Sequence, residues 1–133
     1  MVAIYDYTNF PIIKVDLSGS ISNNTDFQSF TAPWLQLYTF KNNFEFEFDT
    51  KNIGFVNPIY CIYTALFIKS IKKQNPQYLL KSKIYVYNRY IFRLAKYIFY
   101  VEKPVAPVEL ILINEDNTQS IQYFNPWLSE TYW

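Results

Sequence analysis

The segment from Phe44 to Lys73 constrains the fold of this chain more than any other, because a strand pattern leads directly into a helix pattern. Its first five residues read FEFEF, so phenylalanine and glutamate side chains alternate between two faces, as in a half-buried strand. A short loop then delivers Asn57-Pro58, in which the asparagine can cap a helix and the proline fits the first helical position. The segment therefore predicts a strand followed by a helix.

The helix that starts at Pro58 is predicted to run to Gln74, since Asn75-Pro76 would stop it. Its apolar residues recur at helical spacing, which predicts a stripe that is buried against a sheet. This stripe comprises Ile59, Ile62, Tyr63, Leu66, Phe67 and Ile71.

The rest of the chain alternates between the two-residue period of strands and the longer period of helices. Strands are predicted at Val2–Tyr7, Ile12–Leu17, Phe44–Phe48, Ile84–Tyr87, Val108–Ile113 and Thr118–Phe124, and helices at Thr25–Tyr38, Pro58–Gln74 and Arg89–Val101. We therefore expect an α/β fold with a mixed four- or five-stranded sheet. Its central strand should be Phe44–Phe48, with two to three helices packed mainly on one face.

Polar residues mark the connections between these elements. The run SGSISNN, residues 18–24, predicts a loop before the first helix, and Pro33 interrupts the pattern of that helix. The apolar residues of the first helix are Phe27, Phe30, Leu35 and Tyr38. Asn88 is predicted to cap the last helix.

With 133 residues, of which half are hydrophobic and 21% aromatic, the chain can form a substantial core. Its length predicts a single domain over residues 1–133, with a short aromatic tail at about residues 125–133. Tyrosine, phenylalanine, isoleucine, asparagine and lysine are frequent, and their A- and T-rich codons indicate an AT-rich genome. The sequence has neither a targeting segment nor an apolar run that could span a membrane, so we expect a cytoplasmic protein.

The chain lacks the residues on which most catalytic and metal sites depend. It has no histidine, one cysteine and two glycines, which argues against a histidine base, a cysteine-rich zinc site and a glycine-rich phosphate loop. Cys61 is expected to be packed rather than reactive. Glu45 and Glu47, on the outward face of a strand, are expected to form a solvated edge, and Glu115-Asp116 a solvated turn. We therefore predict a non-enzyme without catalytic residues, cofactor, metal or small-molecule substrate.

Charge is distributed unevenly along the chain, although the net formal charge is only +1. Residues 1–57 carry six acidic and three basic side chains, residues 58–103 carry one acidic and nine basic, and residues 104–133 carry four acidic and none basic. The basic middle fits either a solvated helix face or a docking surface for an acidic partner.

The stretch KSKIYVYNRY, from Lys81 to Tyr90, interleaves basic and aromatic residues, as do some surfaces that bind single-stranded nucleic acid. Tyr85, Tyr87 and Tyr90 are equally explained by a strand and a helix that pack into a tyrosine-rich core. Nucleic acid is therefore not expected as a partner.

Three stretches carry a resemblance to a known family: VDLSGSI at residues 15–21, FEFDTKNIGFVNP at residues 46–58 and the helix IYCIYTALFIKSIKK. In order and spacing they resemble the STAS domain of bacterial anti-sigma-factor antagonists. The segment SISNNTDFQSFTAPWLQLY is similar to related partner-switching proteins that have an asparagine at the helix cap. The resemblance implies a STAS-like fold in which the turn Ser18-Gly19-Ser20 ends an early strand and Asp49 ends the central strand.

The chain departs from this family at the regulatory position. The family carries a phosphorylatable serine or threonine just after the helix cap, whereas this chain has Pro58 and Ile59, neither of which accepts phosphate. The resemblance therefore implies a protein-binding surface at the helix start, made of Asn57, Pro58, Ile59 and Tyr60, without the phosphorylation switch. Alternatively, Asn57 is simply a cap and Ile59 simply a core residue.

The tail offers a second candidate surface. Trp127 and Trp133 lie beyond the last element that the sheet requires, and exposed aromatic anchors are typical of interfaces. These residues could equally fold back on their own domain.

From these observations we predict a non-catalytic protein-protein interaction module of STAS-like fold, which binds protein partners or associates with itself. The alternative is a structural subunit of a larger assembly, such as a virion or capsid component of a giant virus with an AT-rich genome. That alternative would place the chain in a virion rather than in the cytoplasm.

Overall fold

The computed structural model describes residues 1–39, 41–60, 62–63, 66–67, 70, 78–101 and 106–125, with only the backbone of residue 38. In chain order, the described elements are β1 (Val2–Asp6), β2 (Ile12–Ile21), α1 (Asn24–Thr39), β3 (Phe44–Val56), α2 (starting at Pro58 and described at residues 58–60, 62–63, 66–67 and 70), β4 (Leu79–Val86), α3 (Arg89–Val101), β5 (Val108–Ile113) and β6 (Gln119–Phe124). The expected α/β class is confirmed.

The six strands form one sheet in which the spatial order follows the chain order from β1 to β6. Strands β2 to β5 run parallel to one another, whereas β1 and β6 are antiparallel to their neighbours and lie at the edges. Each parallel connection passes through a helix, and each new strand is added on the same side of the previous one. Right-handed connections therefore place all three helices on one face. The sheet has six strands rather than four or five because both hairpins extend the parallel core.

An asparagine that follows a parallel strand starts each of the three helices. The side-chain oxygens of Asn23, Asn57 and Asn88 accept hydrogen bonds from backbone N–H groups of the first helical turn, at 2.9, 3.2 and 2.7 Å respectively. These N–H groups have no partner within the helix, so each cap stabilises its helix start. The predicted caps at Asn57 and Asn88 are confirmed.

The core lies between the helices and one face of the sheet, and its centre is aromatic. Trp34 of α1 is 1% exposed, and its ring centroid lies 4.9 Å from that of Phe30, 5.8 Å from Phe46 and 6.3 Å from Phe48. The phenylalanines of FEFEF, including Phe44, are all buried, as the alternation predicts.

A second part of the core joins α3 to the last three strands. Buried residues of β4, β5 and β6 form its base, namely Val86, Val108, Leu110 and Phe124. Side chains of α3 pack on this base, namely Ile91, Phe92, Ala95 and Phe99. Ile84 packs against both parts of the core, which places α1 and α3 on the same face of the sheet.

Helix α1 buries a face that agrees with its predicted apolar spacing at Phe30 but not at Leu35. Phe30, Trp34 and Leu37 are buried, whereas Leu35 is exposed, and Pro33 lies within the helix without ending it. The large Trp34 ring fills the space above β3, and this contact fixes the rotation of the helix.

Tyr5 ties the edge strand β1 to α1. Its hydroxyl donates a hydrogen bond to the backbone carbonyl of Phe30 and accepts one from Trp34 Nε1 at 2.7 Å. Burial raises the pKa of the Tyr5 hydroxyl well above its usual value, so this group stays protonated and can donate.

Strands β2 and β3 continue past the points at which we expected them to end. Ser18-Gly19-Ser20 lies within β2 instead of forming a turn, and Gly19 has a φ of 86° beside a shift in the register with β3. Glycine tolerates this left-handed backbone, which lets the strand continue through the irregularity. Asp49 lies inside β3, which pairs with β2 as far as Val56. The predicted loop is therefore wrong over residues 18–21.

The connection of each hairpin contains an Asp-x-Thr turn, directly after β1 in the first hairpin and directly before β6 in the second. Asp6 Oδ1 accepts hydrogen bonds from the backbone N–H and the hydroxyl of Thr8, at 2.9 and 2.6 Å. Asp116 Oδ1 accepts the equivalent bonds from Thr118 at 3.1 and 2.6 Å. These bonds favour the ionised carboxylates and lower the pKa of both aspartates.

Candidate protein-binding surfaces

The predicted surface at the helix start lies at the carboxyl end of β3. The backbone N–H of Asn57 donates a hydrogen bond to the carbonyl of Ile21 at 2.8 Å, so Asn57 joins the two strand ends as well as capping α2. Pro58 and Ile59 are exposed, and Tyr60 is half-buried. The alternative interpretation of Ile59 as a core residue is therefore wrong.

Helix α2 presents apolar side chains to solvent, whereas we predicted a buried stripe. Four of the predicted stripe residues have 38–45% of their surface exposed, and we call them the α2 apolar face: Ile59, Ile62, Tyr63 and Leu66. Phe67 is half-buried, and its ring centroid lies 5.8 Å from that of Trp34. Ile71 lies outside the described residues. The helix thus contacts the core through Phe67, and the described residues leave 38–45% of each side chain of the α2 apolar face exposed.

An aromatic cluster fixes the orientation of α2 against the start of α1. The Phe27 ring centroid lies 6.3 Å from those of Tyr60 and Tyr63 and 6.1 Å from that of Phe67. Tyr60 and Tyr63 meet edge to face at 5.6 Å, a favourable arrangement for two rings. Tyr60 therefore contributes to packing, while the α2 apolar face is held in one orientation.

The face of the sheet opposite the helices, which we call the open face, carries a row of alternating charges. The strand register aligns one residue from each strand in the order Asp6, Lys14, Glu47, Lys83, Glu109 and Tyr123. Opposite charges on neighbouring strands stabilise a sheet, and Lys83 Nζ lies 3.8 Å from Glu109 Oε2. A hydrogen bond with Glu109 also raises the pKa of Tyr123.

A second row on the open face places two carboxylates side by side. Asp16 of β2 and Asp49 of β3 are register partners, and Tyr85 of β4 follows in the same row. Like charges at paired positions destabilise a sheet. Asp49 Oδ1 accepts a hydrogen bond from the backbone N–H of Lys51 at 2.9 Å, whereas Asp16 accepts none from the described residues.

An open groove of about 730 Å³ lies on the open face above β1 to β4 and reaches Ile113 at the end of β5. Its charged lining residues are Asp6, Lys14, Asp16, Glu47 and Asp49, which give a net formal charge of −3, and we call it the acidic groove. Tyr7, Tyr85 and Tyr87 also line it. Burial and the nearby Asp49 carboxylate raise the pKa of Tyr87. Within the part of the chain that the structure describes, no three side chains of the metal-binding types gather to hold an ion.

Sequence reasoning missed the open face as a candidate surface. We predicted a solvated edge for Glu45 and Glu47, but β3 lies inside the sheet and both glutamates are half-buried. The signal was present, because Asp6, Asp16 and Asp49 occupy the polar positions of alternating strands. Only the register reveals that these positions share one face.

The tyrosines of KSKIYVYNRY do not form a tyrosine-rich core. Tyr85 and Tyr87 lie on the open face, and Tyr90 is 63% exposed at the start of α3. That structural explanation for these residues is wrong, while the absence of a nucleic-acid partner stays a prediction. Trp127, Trp133 and Cys61 lie outside the described residues.

No helix in the described ranges is both long enough and apolar enough to cross a membrane. No family model, curated protein or solved structure matches this chain. The resemblance to STAS domains therefore stays a prediction.

Proposed function

We propose that this chain is a non-catalytic protein-protein interaction module that binds its partner through the α2 apolar face. The observation that carries this proposal is the exposure of Ile59, Ile62, Tyr63 and Leu66 on one side of a capped helix. Contiguous apolar side chains at the surface commonly mark interaction sites.

The spacing of the α2 apolar face favours a helical partner. Residues 59, 62, 63 and 66 follow the i, i+3, i+4, i+7 pattern by which one helix packs on another. We therefore propose a partner helix with an apolar stripe of its own. Burial by such a helix would contribute about 1 kcal/mol per side chain to the free energy of binding. The contribution is this small because more than half of each side chain is already covered in the free chain.

The predicted STAS-like character supports the same location. The resemblance implies a binding surface at the helix start, and the α2 apolar face continues from Ile59 along the helix. Because Pro58 and Ile59 occupy the usual switch position, binding should not depend on phosphorylation there. Incubation with ATP and a serine kinase of the partner-switching type should add no phosphate between Asn57 and Thr64, as mass spectrometry can test.

A structural subunit of a larger assembly, such as a virion component, remains the alternative to this module. A measurement of particle mass on the purified full chain separates the two functions. Large oligomers that are lost when residues 126–133 are deleted suit an assembly subunit, whereas a particle mass that does not depend on those residues suits the interaction module. Deletion of Pro126 to Trp133 shows whether the tail carries the contact.

A matched pair of substitutions tests the proposed surface. Leu66→Lys places a charge on the α2 apolar face, whereas Leu35→Lys makes the same change on α1, where Leu35 is 57% exposed. Proteins captured from a lysate by the unchanged chain should be purified and tested for direct binding. We expect Leu66→Lys to weaken that binding at least about tenfold and Leu35→Lys to leave it unchanged.

Circular dichroism spectra that match the unchanged chain establish that both variants are folded. Equal binding by the folded Leu66→Lys variant would contradict the proposal. Equal loss of binding in both variants would contradict it as well, because Leu35 lies on another helix.

A further inference from the structure

Helix α3 presents an outer surface of basic and aromatic residues, which we call the α3 basic face: Arg89, Tyr90, Arg93, Lys96 and Tyr97. Tyr90 and Tyr97 are 63% and 67% exposed, the two highest values among the large apolar and aromatic side chains described. Arginine and tyrosine, together with tryptophan, are enriched among the residues that contribute most to protein interfaces.

The positive charge of the α3 basic face is not balanced within the described structure. Helix α3 contains no acidic residue, and Arg89, Arg93 and Lys96 form no ion pair with any residue that the structure describes. Arg89 also lies at the positive end of the helix dipole, where a basic side chain is unfavourable. These features favour an anionic partner for this surface.

The acidic groove has the opposite character on the opposite side of the sheet. Its lining carries a net formal charge of −3 and includes Asp16 and Asp49 side by side. A cationic side chain placed between these carboxylates would relieve their repulsion. In addition, parallel strands are usually covered on both faces, whereas the described helices cover only one face of β2 to β5.

We infer that two copies of this chain associate head to tail, with the α3 basic face of one copy docked in the acidic groove of the next. The charges are complementary, and tyrosines from both surfaces can pack against the docked side chains. A helix about 10 Å wide spans roughly two strands spaced about 4.8 Å apart, so α3 fits across the groove. The second copy would then supply the missing helix layer.

This contact is heterologous, because each copy uses two different surfaces. Helix α3 packs above β4 to β6 on the helical face, while the groove lies mainly above β1 to β4 on the open face. Docking therefore leaves one α3 basic face and one acidic groove free at the two ends. Such contacts build rings or open chains rather than closed pairs. The contact does not use the α2 apolar face, so it goes beyond the proposed function and can fail independently of it.

Sedimentation velocity on the full chain tests self-association. We expect the mean particle mass to rise between about 1 μM and about 500 μM protein at about 50 mM salt. The association should weaken at about 500 mM salt, where exposed charges are screened. A monomer over the whole concentration range at low salt would overturn the inference.

Charge reversals then test the two surfaces separately. Arg93→Glu alters the α3 basic face, and Asp16→Lys alters the groove at an exposed position without removing a described hydrogen bond. Each substitution should weaken self-association at least about tenfold. Lys51→Glu reverses an exposed charge outside both surfaces and serves as the control, which should associate like the unchanged chain. Equal weakening in the control would overturn the inference.

Mixing the two variants provides the decisive result. The Arg93→Glu copy keeps an intact groove and the Asp16→Lys copy keeps an intact α3 basic face, so one matching contact remains. The mixture should associate more strongly than either variant alone, because this contact joins an unaltered face to an unaltered groove. A mixture that associates no more strongly than the separate variants would overturn the head-to-tail contact.

Discussion

Helix α1 buries its apolar face against the sheet, whereas helix α2 presents its apolar face to solvent. Phe30, Trp34 and Leu37 of α1 are buried among the phenylalanines of β3. The corresponding surface of α2, which includes Ile62 and Leu66, is about two-fifths exposed. The two helices differ in what covers them, although both carry apolar residues at helical spacing.

The difference arises from the size and position of a few aromatic side chains. Trp34 reaches Phe46 and Phe48 on the sheet, and Phe67 of α2 packs against the same indole ring. Because Phe67 faces that ring, the adjacent side of α2, which carries Ile62 and Leu66, points away from the core. An apolar stripe therefore predicts that something covers a helix, but not whether the cover comes from the same chain.

The largest effect is expected for the centre of the α1 contact. Trp34→Ala should lower the free energy of unfolding by about 3–5 kcal/mol, because it removes a ring that is 1% exposed and leaves a cavity. Urea denaturation measures this loss. Leu35→Ala, on the exposed side of the same helix, is the control and should cost about 1 kcal/mol or less. Similar losses in both variants would show that α1 is not anchored by one face.

A smaller effect is expected where β1 is attached to α1. Tyr5→Phe removes the hydroxyl that bonds Phe30 and Trp34, and leaves the buried Trp34 N–H without its partner. The free energy of unfolding should fall by about 1–3 kcal/mol. Tyr7→Phe is the matched control, because no hydrogen bond of the Tyr7 hydroxyl occurs among the described residues. A loss of the same size in the control would contradict this assignment.

A still smaller effect concerns the turn between β5 and β6. Hydrogen bonds from Thr118 lower the Asp116 pKa below its usual 3.8. The stability that the ionised carboxylate gives the folded chain is therefore complete above pH 3.8. It is lost as the pH falls through the lower pKa of the folded state, because the unfolded chain then binds more protons. Asp116→Asn should therefore have a lower Tm than the unchanged chain at about pH 6, and the two should converge as the pH falls below 3.8.

Thermal unfolding followed by circular dichroism checks this convergence. Glu115→Gln removes one negative charge from the same turn and leaves the Asp116–Thr118 bonds intact. If Glu115→Gln reproduced the profile of Asp116→Asn, net charge rather than hydrogen bonding would be the cause.

Much of the fold was predictable because its signals are local. The bounds of α3 and β5, Arg89–Val101 and Val108–Ile113, coincide with the predicted ones, since Asn88 marks a cap and the apolar periods are regular. The FEFEF alternation also placed the phenylalanines of β3 on the core face.

The remaining features depend on tertiary contacts that a single sequence does not show. The extension of β3 to Val56 depends on pairing with β2, and the rotation of α1 depends on where Trp34 finds space. The pairing of Asp16 with Asp49 depends on the register between two parallel strands. For the candidate surface, the sequence located the helix start but could not predict that the residues after Ile59 stay uncovered.

The most direct test of this account compares the two apolar helix faces by the same truncation. The free energies of unfolding of Ile62→Ala and Leu66→Ala should fall by about 1 kcal/mol or less, because solvent already reaches these side chains. The free energy of unfolding of Phe30→Ala, in the buried face of α1, should fall by about 3–5 kcal/mol in the same urea titration. Losses above about 2 kcal/mol for the α2 variants would show that the α2 apolar face belongs to the core and would contradict its role as a partner-binding surface.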